Sequence, residues 1–85
     1  MGGFFKAEVG KLCNNPVNNR RQCKKAADHF PNALYSTLKG AGHHLPGGCV
    51  WDNVAEDEIF VYWNPDGSVL STDPNIRQVC YSADL

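Results

Sequence analysis

The chain has 85 residues, a net charge of −1, 42% hydrophobic residues and four cysteines. At that size it makes one domain, and its apolar core alone comes close to break-even against conformational entropy, which costs roughly 1.5 kcal/mol per ordered residue. The near-neutral charge argues against a nucleic-acid binder that relies on phosphate neutralisation, and no apolar run approaches the roughly 18 residues of a membrane-spanning helix.

Four cysteines in so short a chain read as two disulfides formed in an oxidising compartment. Zinc is the competing use, but the cysteines are separated by 9, 25 and 30 residues, and none forms the short ligand pair that a turn presents to a tetrahedral ion. The opening residues Met1-Gly2-Gly3-Phe4-Phe5-Lys6 lack the apolar stretch of a signal peptide, so an export or transit signal is expected to lie outside this sequence. Charge is unevenly spread. Residues 1–42 carry a balance of +5 and residues 43–85 a balance of −6, which reads either as two solvated faces or as a dipolar surface that orients the protein on a partner.

In chain order, Phe4, Phe5, Val9 and Leu12 recur at helical spacing, so residues 3–12 are predicted to form a short amphipathic helix. Its Phe pair packs on the domain or serves as a docking handle. Asn14-Asn15-Pro16 and Asn18-Asn19 are turn and cap chemistry, and a second helix is predicted to begin near Asn18 or Asn19. That helix places Cys23, Ala26, Ala27 and Phe30 on one face, with Arg20, Arg21, Lys24, Lys25 and Asp28 outward. Pro31 breaks it. Residues 32–38 are predicted to add a helical turn closed by Gly40, followed by a flexible link that contains His43 and His44. Those histidines are adjacent rather than four apart and have no acidic or Cys partners, so they read as exposed loop residues, and no metal or other cofactor is expected.

Residues 48–53 read as a strand and residues 52–58 as an acidic connection without the spaced ligands of a calcium loop. Residues 59–64 form the strongest predicted strand, with Ile59, Val61 and Trp63 on one face and Phe60 and Tyr62 on the other. Asn64-Pro65-Asp66-Gly67 is a turn sequence. A third strand over residues 68–71 is predicted to pair back, and a last segment, residues 76–81, carries Cys80. The expected fold is therefore α+β: one domain over residues 1–85, with an N-terminal amphipathic segment (1–12), a helical part (13–42) and a β-hairpin part (43–85). The short helices pack on a three-stranded antiparallel meander. Four cysteines allow three connectivities. The architecture favours Cys23–Cys49, joining the second helix to the first hairpin strand, and Cys13–Cys80, joining the two ends.

No HExxH, GxSxG, phosphate loop or dinucleotide fingerprint is present. His29 lies six residues after Cys23, but oxidised cysteines are not nucleophiles. The chain is expected to be non-enzymatic.

Two resemblances add to this. Leu45-Pro46-Gly47-Gly48-Cys49-Val50-Trp51, Val61-Tyr62-Trp63-Asn64 and Thr72-Asp73-Pro74 resemble the rhythm of a WW domain, a three-stranded meander that binds proline-rich peptides, although Cys49 stands where that family has its first Trp. Cys23-Lys24-Lys25-Ala26-Ala27, Pro46-Gly47-Gly48-Cys49, Val61-Tyr62-Trp63-Asn64 and Arg77-Gln78-Val79-Cys80 resemble a small cysteine-containing module of unicellular algae, especially dinoflagellates. That likeness spans about residues 13–81 and departs from the family's tighter Pro-Gly-Cys form at Gly48. It implies a structural or accessory subunit of a larger protein assembly, with the lumenal side of a photosynthetic membrane complex, a photosystem in the thylakoid, as the expected place. Membrane association would then be peripheral, through the complex. The docking residues expected from the sequence are Phe4, Phe5, Trp51, Tyr62 and Trp63. An extracellular module that binds peptide or glycan through Trp51, Tyr62 and Trp63 is the alternative. A secreted toxin or defence peptide is a third reading, less favoured because such chains are usually denser in cysteine and more basic.

Overall fold

A computed structural model describes residues 2–37, 45–65, 67 and 73–83. Among them are five strands and one helix: β1 (Gly3–Lys6), α1 (Arg20–His29), β2 (Ala33–Tyr35), β3 (Gly48–Ala55), β4 (Glu58–Asn64) and β5 (Ile76–Ser82). The strands make one mixed sheet in the order β1-β5-β3-β4-β2, so the molecule is mostly β with a single helix on one face. The predicted turn at Asn64-Pro65-Asp66-Gly67, the strand at 68–71 and the pair His43 and His44 lie wholly or partly outside the described residues.

The second predicted helix is present. Asn19 caps it, with its side-chain oxygen accepting the Gln22 N–H at 2.8 Å, and it stops at His29 because Pro31 forces Phe30 into an extended conformation. Cys23, Ala26 and Ala27 form its buried face, and the small alanines let it lie close to the sheet against Cys49, Trp51, Val61 and Val79.

Two predicted helical segments are strands instead. Residues 3–6 form β1, paired antiparallel with β5 from Gly3↔Ser82 to Lys6↔Val79. Helical spacing of four apolar residues was the signal, but a segment so short is not helical alone, and the open edge of β5 offers it a full ladder of backbone partners. Residues 33–35 form β2, parallel to β4 in the register Ala33↔Ile59 to Tyr35↔Val61. Asn32 takes a left-handed conformation (φ 62°) that turns the chain back onto the sheet, where the other open edge captures it.

The antiparallel strands also differ from a sequential meander. β3 and β4 form a hairpin, from Gly48↔Asn64 to Ala55↔Glu58, with an irregularity between Asn53 and Ala55 and a left-handed Asp57 at the turn. The acidic connection is thus shorter than predicted, two residues rather than seven. β5 then lies on the far side of β3, which makes β3 the central strand. Where β3 begins, residues 15–17 continue along the same side of β5: the Val17 N–H donates to Val79 C=O and the Tyr81 N–H to Asn15 C=O. Gly48 sits at this junction in a left-handed conformation (φ 81°), and a Cβ there would lie 3.3 Å from the Val17 carbonyl oxygen.

The sheet face away from α1 is closed by polar brackets. Asn64 is fully buried and donates to Pro46 C=O at 2.9 Å. Gln78 donates to Gly47 C=O at 2.8 Å and accepts the Cys13 N–H at 2.7 Å. Val50 and Tyr62 are buried on the same side.

Two disulfides hold these layers, Cys13–Cys80 and Cys23–Cys49, with Cα separations of 5.5 and 5.3 Å, within the range such bridges need. They close spans of 67 and 26 residues, worth about 4 and about 3.5 kcal/mol in the chain-entropy model. Cys23 and Cys49 are fully buried, whereas Cys13 is only half-buried. Under native conditions a mild thiol reductant is therefore expected to open Cys13–Cys80 first, giving a species alkylated at those two sulfurs with Cys23–Cys49 intact. Simultaneous loss of both bridges by mass spectrometry would contradict the difference in access. Asn19→Ala is expected to cost about 1 kcal/mol in urea denaturation, and Asn19→Ser to restore most of it.

Candidate functional site

The five aromatic residues expected to face a partner are divided by the strand register. Phe4 is half-buried on the helix side, edge-on to Tyr81 at 5.6 Å and to His29 at 6.1 Å, and His29 in turn meets Phe30 at 5.5 Å. This row of rings seats the C-terminal end of α1 on β1 and β5. Trp51 is only 8% exposed, and the Lys6 Nζ lies 4.0 Å from its ring centroid, a cation–π contact across the sheet. Opposite it, Arg77 is spent on backbone, donating to Pro74 C=O and Ala7 C=O.

Tyr62 is buried on the other face, and its hydroxyl donates to Asp52 Oδ2 at 3.0 Å. Trp51 and Tyr62 are thus buried, one on each face of the sheet. Strand alternation sends Tyr62 to the face opposite the two tryptophans. Phe5 and Trp63 remain at the surface, on opposite sides of the sheet.

Each marks a concavity. The larger, about 470 Å³, opens beside Phe5 and runs past Lys11, Leu12 and the Cys13–Cys80 bridge to Ser82. Phe5, Val9 and Leu12 are 42, 43 and 53% exposed. Residues 7–13 are drawn round this groove because Cys13 is bonded to Cys80 and because the Ala7 N–H donates to Gln78 C=O. Antiparallel alternation then turns the backbone groups of Phe4 and Lys6 away from β5, and among the described residues no strand pairs with this outer edge of β1.

The smaller concavity, about 120 Å³, is lined by Arg20, Tyr35, Ser36, Thr37 and Trp63. The Cys23–Cys49 bridge builds it. Cys49 lies opposite Trp63 in the hairpin register, so anchoring the first turns of α1 there hangs Arg20 beside the indole. β2 supplies the other wall, since Tyr35 pairs with Val61, two residues before Trp63 on the same face, and the ladder continues through the Ser36 N–H to Val61 C=O. Of these five residues only Trp63 was marked from the sequence. Tyr35 could not be, because nothing local signals that residues 33–35 lie beside β4.

The charge asymmetry of the sequence becomes an end-to-end one. Arg20, Arg21, Lys24 and Lys25 are exposed on α1, whose first turn has no acid, so Arg20 and Arg21 reinforce rather than offset the positive end of the helix dipole. Glu56, Asp57 and Glu58 project at the β3–β4 turn, near the helix's other end, since Ala33 pairs with Ile59 there. Among the described residues the ion pair is Lys11–Glu8 at 3.5 Å, exposed and worth little. No three His, Cys, Asp or Glu of the described residues converge on a metal position, and no helix among them is long and apolar enough to cross a membrane.

Burial first, and the charge and hydrogen bond of Asp52 second, push the Tyr62 phenol well above its ordinary pKa. The fold therefore favours the neutral phenol. Its contribution is complete below the ordinary tyrosine pKa of about 10 and is lost as pH rises from there toward the folded value. In an alkaline titration followed by tyrosinate absorbance, one of the three tyrosines is expected to resist ionisation until the fold opens, and Tyr62→Phe to abolish that late step at a cost of about 1 kcal/mol. Three coincident titrations in the folded protein would contradict it.

Comparison with known proteins finds no matching family model, curated protein or solved structure.

Proposed function

We propose that the protein is a non-enzymatic docking module, a disulfide-stapled accessory subunit that joins a larger protein assembly through its N-terminal arm. The observation that carries this reading is the open groove lined by the exposed side chains of Phe5 and Leu12, with exposed Val9 on the same arm, next to a β1 edge that no described residue pairs. The β1–β5 pairing at one end of this arm and the Cys13–Cys80 bridge at the other hold these side chains in a fixed shape instead of leaving them on a loose terminus. The partner that fits is an extended protein segment that adds a strand along Phe4 and Lys6 and sets an apolar side chain into the groove. Backbone hydrogen bonds would give affinity, and the pocket between Phe5 and Leu12 would select the side chain. Two disulfides are consistent with an oxidising compartment. The likeness to the algal module makes the lumenal side of a photosynthetic membrane complex the assembly we put forward.

Size-exclusion chromatography of native material, with and without mild detergent, tests the reading. Stoichiometric co-elution with a large complex is expected, and elution at the size of the free monomer in both conditions would remove it. Phe5→Ser combined with Leu12→Ser is expected to abolish co-elution while leaving the circular dichroism spectrum unchanged, since both side chains are exposed.

A further inference from the structure

We propose that the cavity beside Trp63 is a binding site for the acidic end group of a sugar, a carboxylate or sulfate carried on a pyranose ring. This site lies on the opposite face of the sheet from the N-terminal groove and is independent of the docking reading.

The lining has the composition such a group needs. Among the described residues Arg20 is the one charged liner, and no carboxylate pairs with it. A guanidinium offers a planar fork of donors that meets two oxygens of a carboxylate or sulfate at once. Trp63 and Tyr35 supply ring surfaces for the C–H face of a sugar, and Ser36 and Thr37 place hydroxyl-bearing side chains at the rim.

Size narrows the ligand further. A volume of about 120 Å³ equals about four water molecules at roughly 30 Å³ each, well below the roughly 300–1,000 Å³ of a site that encloses a whole drug-sized ligand. The cavity therefore takes one end group and leaves the rest of the molecule in solvent, which is how a terminal residue of a chain is held. The local field agrees in sign. Arg21, Lys24 and Lys25 are exposed on the same helix as Arg20, which itself stands at the helix's positive end, so an approaching anion is attracted before contact. A bare oxyanion would use Arg20 and the field but leave both aromatic walls idle. A neutral sugar would use the walls and gain nothing from the field.

The test is a two-dimensional NMR titration of the intact, oxidised protein with glucuronate, glucose 6-sulfate, glucose and sodium sulfate at matched ionic strength. Either acidic sugar, or both, is expected to shift the Trp63 indole N–H and the Ser36 and Thr37 amides while leaving the Trp51 indole unmoved, with half-saturation at about millimolar concentration. Arg20→Ala is expected to weaken binding roughly tenfold. Lys25→Ala, an equal loss of charge on the same helix but outside the cavity, is expected to change it less than about twofold. Four results would each overturn the proposal: no shift with any of the four compounds, equal response to glucose, the same shifts and saturation with sulfate alone, or equal weakening by the two substitutions.

Discussion

The covalent tie between Cys23 and Cys49 is the constraint on which the helix layer depends. A ten-residue helix with four cations among its first six residues and no acid in its first turn has little reason to persist in water. It persists because its buried stripe is only one cysteine and two alanines wide, narrow enough to lie flat on β3 and β4, and because one bond fixes where along the strands it lies. That bond also sets Arg20 at the edge of Trp63 and, ten residues later, delivers the chain to the free edge of β4. One cross-link thus determines both a packing register and a surface cavity.

The second bridge works on the opposite face and by a different route. Cys13–Cys80 gathers the N-terminal arm against β5, and the polar side chains Asn64 and Gln78 finish the job that apolar packing leaves undone. Asn64 satisfies the buried Pro46 carbonyl, and Gln78 the part-buried Gly47 carbonyl and Cys13 N–H. Unpaired, such groups would cost about 1–3 kcal/mol each. Geometrically matched hydrogen bonds also specify one arrangement of the arm and the segment, which a purely apolar contact between two irregular stretches would do poorly.

Function in this protein has to be argued from surfaces, because the interior is occupied by packing. The buried tyrosine and the capped tryptophan illustrate this: both have the chemistry of recognition residues, and both are spent on cohesion. What is left outside divides cleanly. One side offers apolar groups and an outer strand, suited to a protein segment; the other offers a guanidinium between aromatic walls at a cationic end, and among the described residues neither the strand edge nor the guanidinium has a partner. The acidic turn at the far end gives the molecule a direction, so a partner with its own charge pattern meets it in a preferred orientation.

Sequence by itself determined the features that depend on near neighbours in the chain. These are the capped helix with Cys23, Ala26 and Ala27 inward, the aromatic strand at residues 59–64, its alternation, and the need for two bridges. Only the tertiary structure decided the identity of residues 3–6 and 33–35, because a segment of three or four residues takes its conformation from whatever edge it meets, and β5 and β4 each had one open. It also decided that β5 lies beside β3, since strand order is a matter of which edges remain free once the hairpin has formed. The candidate cavity was legible only at Trp63. Arg20 and Tyr35 are 15 residues apart in sequence and share a cavity only because a disulfide and a parallel strand pairing, both long-range, bring them to the same end of β4.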